Sequence, residues 1–128
     1  MIKALIVDQA DDDSVSASIR EIEASQLPDD GEVDIAVEYS TINYKDGLAL
    51  TGGPIIRRFP LVPGIDLAGT VATSGDGRWA PGDRVVLNGW NCGERHWGGY
   101  TERTRVSGDW LTRTPASLSS LQAAAIGT

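Results

Sequence analysis

Fifteen glycines and six prolines interrupt the 128-residue chain at short intervals, and this punctuation constrains the fold more than any other feature. Glycine and proline end helices and bend strands, so the elements between them have to be short. The intervening runs are β-branched and alternate, as with Val33, Ile35 and Val37 in EVDIAVEYSTIN and Ile65, Leu67 and Val71 in GIDLAGTV. Short alternating runs separated by turn signals predict a mainly β fold, a barrel or sandwich. Strands are expected at 2–7, around 14–23, at 32–43, at 65–73, through Val85–Val86–Leu87, near 99–106 and at 110–113. In the second of these, Val15, Ile19 and Ile22 also share a helical face, but three apolar residues are few for an amphipathic helix, and the strand is favoured. Two short helices complete the pattern. One lies in DGLALTG and ends at Gly52–Gly53; the other lies in SLSSLQAAAIGT, with Ser117 or Ser119 as its N-cap.

Composition excludes several classes of function. A formal charge of −7 and a pI near 4.5 argue against nucleic acid as a partner, because that role needs a basic face and the longest basic run is Arg57–Arg58. Cys92 is the single cysteine and has no internal disulfide partner, so a reducing, cytoplasmic location is expected. The apolar start MIKALIV is too short for a signal segment, and no window approaches the roughly 20 apolar residues needed to span a bilayer.

The densest chemistry is at Asn43, Tyr44, Lys45 and Asp46, four polar side chains that close an apolar strand. Two readings stand. The Asn and Asp can build a helix-entry turn with Tyr44 as half-buried packing, or the group is a site. In the second reading Tyr44 and Asn43 offer hydrogen bonds to a ligand, while Asp46 fixes Lys45 or caps the turn. Asp66 lies in an otherwise apolar strand and needs a partner, since a lone buried carboxylate is costly. It either makes an ordinary structural ion pair, the favoured reading, or holds Arg84 or the active-site loop. In GWNCGERHWGGY the glycines allow close approach, and Trp90, Trp97 and Tyr100 offer flat apolar walls. Arg95 and His96 are placed to meet an anionic ligand, as are Arg57 and Arg58 if they are more than a solvated pair. No metal site is expected, because one cysteine and one histidine fall short of the three or four converging ligands that zinc requires. A single histidine also leaves little room for a Ser-His-Asp hydrolase.

The segments NYKDGLALTG, RRFPLVPGIDLAGTV, PGDRVVLNGW, GERHWGGYTERTRV and AAAIGT, in this order, resemble the amino-terminal part of the zinc-free medium-chain dehydrogenase/reductases. Within that family the chain is similar to the NADPH-dependent acryloyl-CoA reductase branch, also grouped with quinone oxidoreductases. The resemblance implies a GroES-like β-barrel, the catalytic domain of such enzymes, over residues 1–116. Residues 117–128 would then begin the helix that links to an NADP-binding Rossmann domain absent from this chain. The chain itself contains no G-x-G-x-x-G after a strand. Where the zinc enzymes of the wider superfamily have a G-H-E segment, this chain has Gly64–Ile65–Asp66, and Asn43 stands where they have a cysteine. Zinc is therefore not implied.

By resemblance, Tyr44 contacts NADPH, with Asn43 beside it, and Asn43, Tyr44 and Asp46 form the catalytic group. Trp90, Arg95, His96 and Trp97 are assigned to a small-molecule acyl-CoA or enone substrate. The implied reaction is hydride transfer to an α,β-unsaturated thioester, with backbone amides of the glycine-rich loop or Asn43 donating hydrogen bonds to the charged oxygen. A quinone or enone reductase, a free-standing non-catalytic binding module and an inert fragment are the rival readings. The apolar end LQAAAIGT is expected to be the start of a longer chain, and a homodimer is expected.

Overall fold

Alternation of inward and outward residues sets the first strand, β1 (Ile2–Gln9), whose Ile2, Ala4 and Ile6 are buried while Lys3 is exposed. In the computed structural model, which describes residues 1–128, β2 (Val15–Ile22) pairs with β1 antiparallel along its whole length, from Ile2↔Ile22 to Gln9↔Val15. The strand reading of this segment holds, although Ile22 alone is buried and Ile19 is exposed. The second sheet runs β6–β3–β4–β5–β7, from β3 (Val33–Ser40), β4 (Asp66–Ser74), β5 (Arg84–Asn88), β6 (Arg103–Val106) and β7 (Thr112–Arg113). The two helices are α1 (Tyr44–Thr51) and α2 (Ser120–Ala125).

Three expected strands are shorter than their sequence patterns, each for a physical reason. Residues 41–43 leave the sheet because Thr41 and Asn43 turn their side chains to Asp66. The register between β3 and β4 also shifts between Val37 and Tyr39, opposite Gly69 and Ala68, which bends β3 at that end. Residues 98–102 form a corner between the two sheets instead of a strand. On one side Gly98, Gly99 and Tyr100 donate to Val62, Gly64 and Pro63; on the other, Leu5 and Val37 donate to Tyr100 and Glu102. Before β7, Ser107 caps a 3-10 turn over Gly108–Trp110 by accepting from the Asp109 amide, which leaves two residues for the strand.

Two hydrophobic clusters result. One joins Val33, Ile35, Leu67, Val71, Val85 and Leu87 inside the large sheet, and the other packs Ile6, Ile22, Leu61, Val62 and Trp97 beneath β1 and β2. Between them Gly64 and Gly98 cross so closely that a Cβ on Gly98 would overlap the Gly64 carbonyl oxygen. At the far side Ala123 and Ala124 of α2 pack on Ala68. Ser119 caps α2 by accepting from the Gln122 amide.

Candidate functional site

The ends of β3, β4 and β5 converge with the residues after α2 on one carboxylate, Asp66, the first residue of β4 and fully buried. Its Oδ2 accepts from Thr41 Oγ1 at 3.0 Å, Asn43 Nδ2 at 3.3 Å and the Thr128 amide at 2.7 Å. Its Oδ1 accepts from Asn88 Nδ2 at 3.0 Å and Thr128 Oγ1 at 2.9 Å. Five neutral donors therefore compensate the buried charge, and no cation does. This corrects the expected ion pair. Arg84 points elsewhere, donating to the Leu118 carbonyl at 2.6 Å. A carboxylate so enclosed holds its neighbours in place, because an unsatisfied partner would cost about 1–3 kcal/mol.

Asp46 is the second buried carboxylate. Its Oδ2 accepts the Asn43 amide at 3.0 Å and its Oδ1 accepts the amides of Gly64 at 3.2 Å and Ile65 at 3.0 Å. It therefore caps α1 and ties that helix to the lead-in of β4, one of its two expected roles. The other is corrected: Lys45 pairs with Glu94, at 2.7 Å, and not with Asp46. The phenol of Tyr100 donates to the Thr41 carbonyl at 2.8 Å. Burial, and then the nearby Asp46, push its pKa upward.

Asn43, at the N-cap of α1, has extended backbone and gives its side-chain amide protons to Thr41 Oγ1, at 2.7 Å, and to Asp66. Those contacts point inward, so the group is positioned and has no free N–H for a ligand oxygen. Tyr44 begins α1 and is 81% exposed, and its phenol hydroxyl makes no hydrogen bond inside the chain. Its exposure disposes of the packing alternative. Beside it Ile42 is 91% exposed.

The glycine-rich loop does not act as one wall. After Asn88, the Gly89 amide donates to the Ile65 carbonyl at 3.0 Å, and the Gly89 carbonyl accepts the Cys92 amide at 3.0 Å. The central residues of this turn, Trp90 (φ +54°) and Asn91 (φ +64°), are both left-handed. That is the geometry of a type I′ turn, in which glycine and asparagine are usual and a tryptophan costs about 1 kcal/mol or more. Trp90 is half-exposed, and neither its indole N–H nor the backbone N–H groups of Trp90 and Asn91 find an acceptor in the chain. The Asn91 carbonyl then collects the amides of Glu94, Arg95 and His96, which folds the loop back on itself.

That fold separates the four expected substrate residues. Trp90 and Arg95 face outward, and Arg95 makes no ion pair. His96 turns instead to Asp30, with Nδ1 at 3.2 Å from the carboxylate, and stacks on Trp110 at 4.5 Å. Arg58 pairs with the same Asp30, at 2.7 Å. Trp97 is buried, its Nε1 donating to the Pro60 carbonyl at 3.0 Å, and it serves the core. The sequence reading missed Thr41, Asn88 and Thr128 as Asp66 partners. The only sequence signal was their polarity at the ends of apolar runs. Cys92 is buried; desolvation, followed by the charges of Asp30 and Asp66, pushes its pKa up to about 12. No group of three or more His, Cys, Asp and Glu side chains is arranged to hold a metal ion.

The residues thus build a bent, glycine-cornered barrel with polar groups gathered at its strand ends. Residues 29–116 match the alcohol dehydrogenase GroES-like domain family, and the chain belongs to it. The acrylyl-CoA reductase AcuI of Ruegeria pomeroyi is 50% identical to it over 130 residues, covering 100% of this chain and 39% of that protein. The yhdH oxidoreductase of Salmonella enterica, solved in complex with NADP, superposes with a TM-score of 0.92 at 53% identity over 98% of this chain and 38% of its own. Bacillus subtilis yhfP, solved with NAD bound, gives a TM-score of 0.92 at 45% identity over the same shares. The chain thus spans about two fifths of the length of the relatives it matches.

Proposed function

We propose that this chain is the substrate-side domain of an NADPH-dependent reductase that saturates the C=C bond of an α,β-unsaturated acyl-CoA, converting acryloyl-CoA to propionyl-CoA. The observation that carries this reading is the free phenol of Tyr44, standing beside an Asn43 that Asp66 holds rigid. The identity with the Ruegeria reductase and the NADP in the Salmonella structure support it. Residues 117–128 then lead toward the cofactor domain.

The residues present fit one end of such a cofactor. An exposed phenol and the exposed Ile42 suit a nicotinamide and its ribose, whereas no G-x-G-x-x-G loop is present to cradle the pyrophosphate. NADPH, when bound, supplies a hydride to the β-carbon of the thioester. Negative charge then gathers on the thioester oxygen until the α-carbon takes a proton. Of the two candidate donors to that oxygen, Asn43 has none to spare, while the backbone N–H groups of Trp90 and Asn91 are free. Preorganised amides of this kind stabilise a developing oxyanion without reorganising. Tyr44 holds the cofactor edge or delivers the proton.

The test is NADPH oxidation by the gene product carrying this chain, with acryloyl-CoA and with a quinone as alternative acceptors. Turnover of the thioester, reduced at least tenfold by Tyr44→Phe, is the expected result. Turnover of the quinone alone would replace the substrate assignment, and full activity of Tyr44→Phe would remove the tyrosine from the site.

A further inference from the structure

Trp90 is held against the preference of its own backbone. Both central residues of the turn from Gly89 to Cys92 are left-handed, a geometry that suits Asn91 and opposes a bulky aromatic residue. Packing gives no reason for the choice, because the side chain is 55% exposed and its indole N–H has no partner in the chain. The turn is anchored in the site itself. Asn88, two residues before Trp90, donates to Asp66, and the Gly89 amide donates to Ile65, the residue preceding Asp66. A turn anchored to Asp66 and Ile65 thus carries an exposed, flat apolar side chain together with two unpaired backbone N–H groups.

We infer that Trp90 is the wall against which the acyl group of the substrate lies, and that it sets the acyl length accepted. This inference rests on the thioester-reductase reading above. A thioester oxygen taken by the amides of residues 90 and 91 leaves its hydrocarbon arm next to the indole. A planar three-carbon enoyl group fits against that face, and each further methylene has to displace it. Hydrophobic pockets discriminate one methylene by about 10- to 200-fold, so a single wall is enough to be read out.

The experiment compares kcat/KM for acryloyl-CoA and trans-2-hexenoyl-CoA, using the gene product carrying this chain and its Trp90→Phe, Trp90→Ala and Trp90→Asn variants. The Asn variant matters most, because asparagine suits a left-handed turn and keeps the loop folded. The expected result is that Ala and Asn lower the acryloyl/hexenoyl ratio by about tenfold or more, while Phe stays within about threefold of the parent. The thermal midpoint of Trp90→Asn is expected to equal or exceed that of the parent. A ratio within twofold of the parent in both small variants overturns the inference. So does a Trp90→Asn protein that unfolds at a lower temperature, since the indole would then be serving stability. A parent enzyme that reduces neither thioester overturns the reductase reading and this inference with it.

Discussion

Cys92 shows how far burial alone can set the behaviour of a side chain. Desolvation comes first, then the charges of Asp30 and Asp66, and together they push the thiol from its ordinary 9.0 up to about 12. The folded state therefore retains a proton that the unfolded chain releases, and stability must fall as pH rises through this window. The contribution is fully present below pH 9 and lost by about pH 12. The urea midpoint is expected to decline over that range, and Cys92→Ala is expected to flatten the decline, although Tyr100 adds to it with the same sign. A slope unchanged by the substitution would place the titration elsewhere. Tyr44 and Asp66 show what a sequence discloses at this scale. A phenol among polar neighbours stood out as a candidate, and the structure leaves it exposed. The partners of Asp66 did not stand out, since three distant chain segments supply them and nothing local links Asn88 or Thr128 to residue 66.

At the scale of elements, β3 and β6 are held together by charge as well as by their ladder. Asp34 of β3 receives Arg105 Nε at 2.7 Å and Arg103 Nη2 at 3.0 Å, both from β6. Burial would raise the Asp34 carboxyl, but its two arginines outweigh that and hold its pKa below the ordinary value. A carboxylate depressed in the folded state stabilises above its unfolded pKa, and that stability is lost as pH falls through the folded one. Acid titration of the parent should lower the urea midpoint below about pH 4, and Asp34→Asn should show a shallower fall but a lower midpoint at pH 7. An identical acid slope in the variant would argue that other carboxylates carry the effect. Alternation revealed β3, while β4, buried on both faces over residues 66–69, was legible as an apolar run. The extent of β6 was not legible, because residues 98–102 hydrogen-bond to two sheets at once, and a corner has the same glycine and aromatic content as a strand end.

For the molecule as a whole, no strand of the barrel is followed by a G-x-G-x-x-G loop that could cradle a phosphate. Titration calorimetry of residues 1–128 with NADPH is expected to give no binding at micromolar concentration; a micromolar Kd would require a phosphate site that this fold does not contain. The architecture itself was legible because glycine and proline set the lengths of its pieces. The pairing order β6–β3–β4–β5–β7 was not, since register and neighbour choice depend on contacts between distant residues. One such contact is the crossing of Gly64 and Gly98, where main chain lies against main chain with no room for a methyl group. Every amino-acid replacement reachable from a glycine codon by a single base change adds at least that methyl. Synonymous changes aside, the crossing thus leaves the gene no neutral neighbours in coding space, and random mutagenesis should leave residues 64 and 98 among the least varied of the domain.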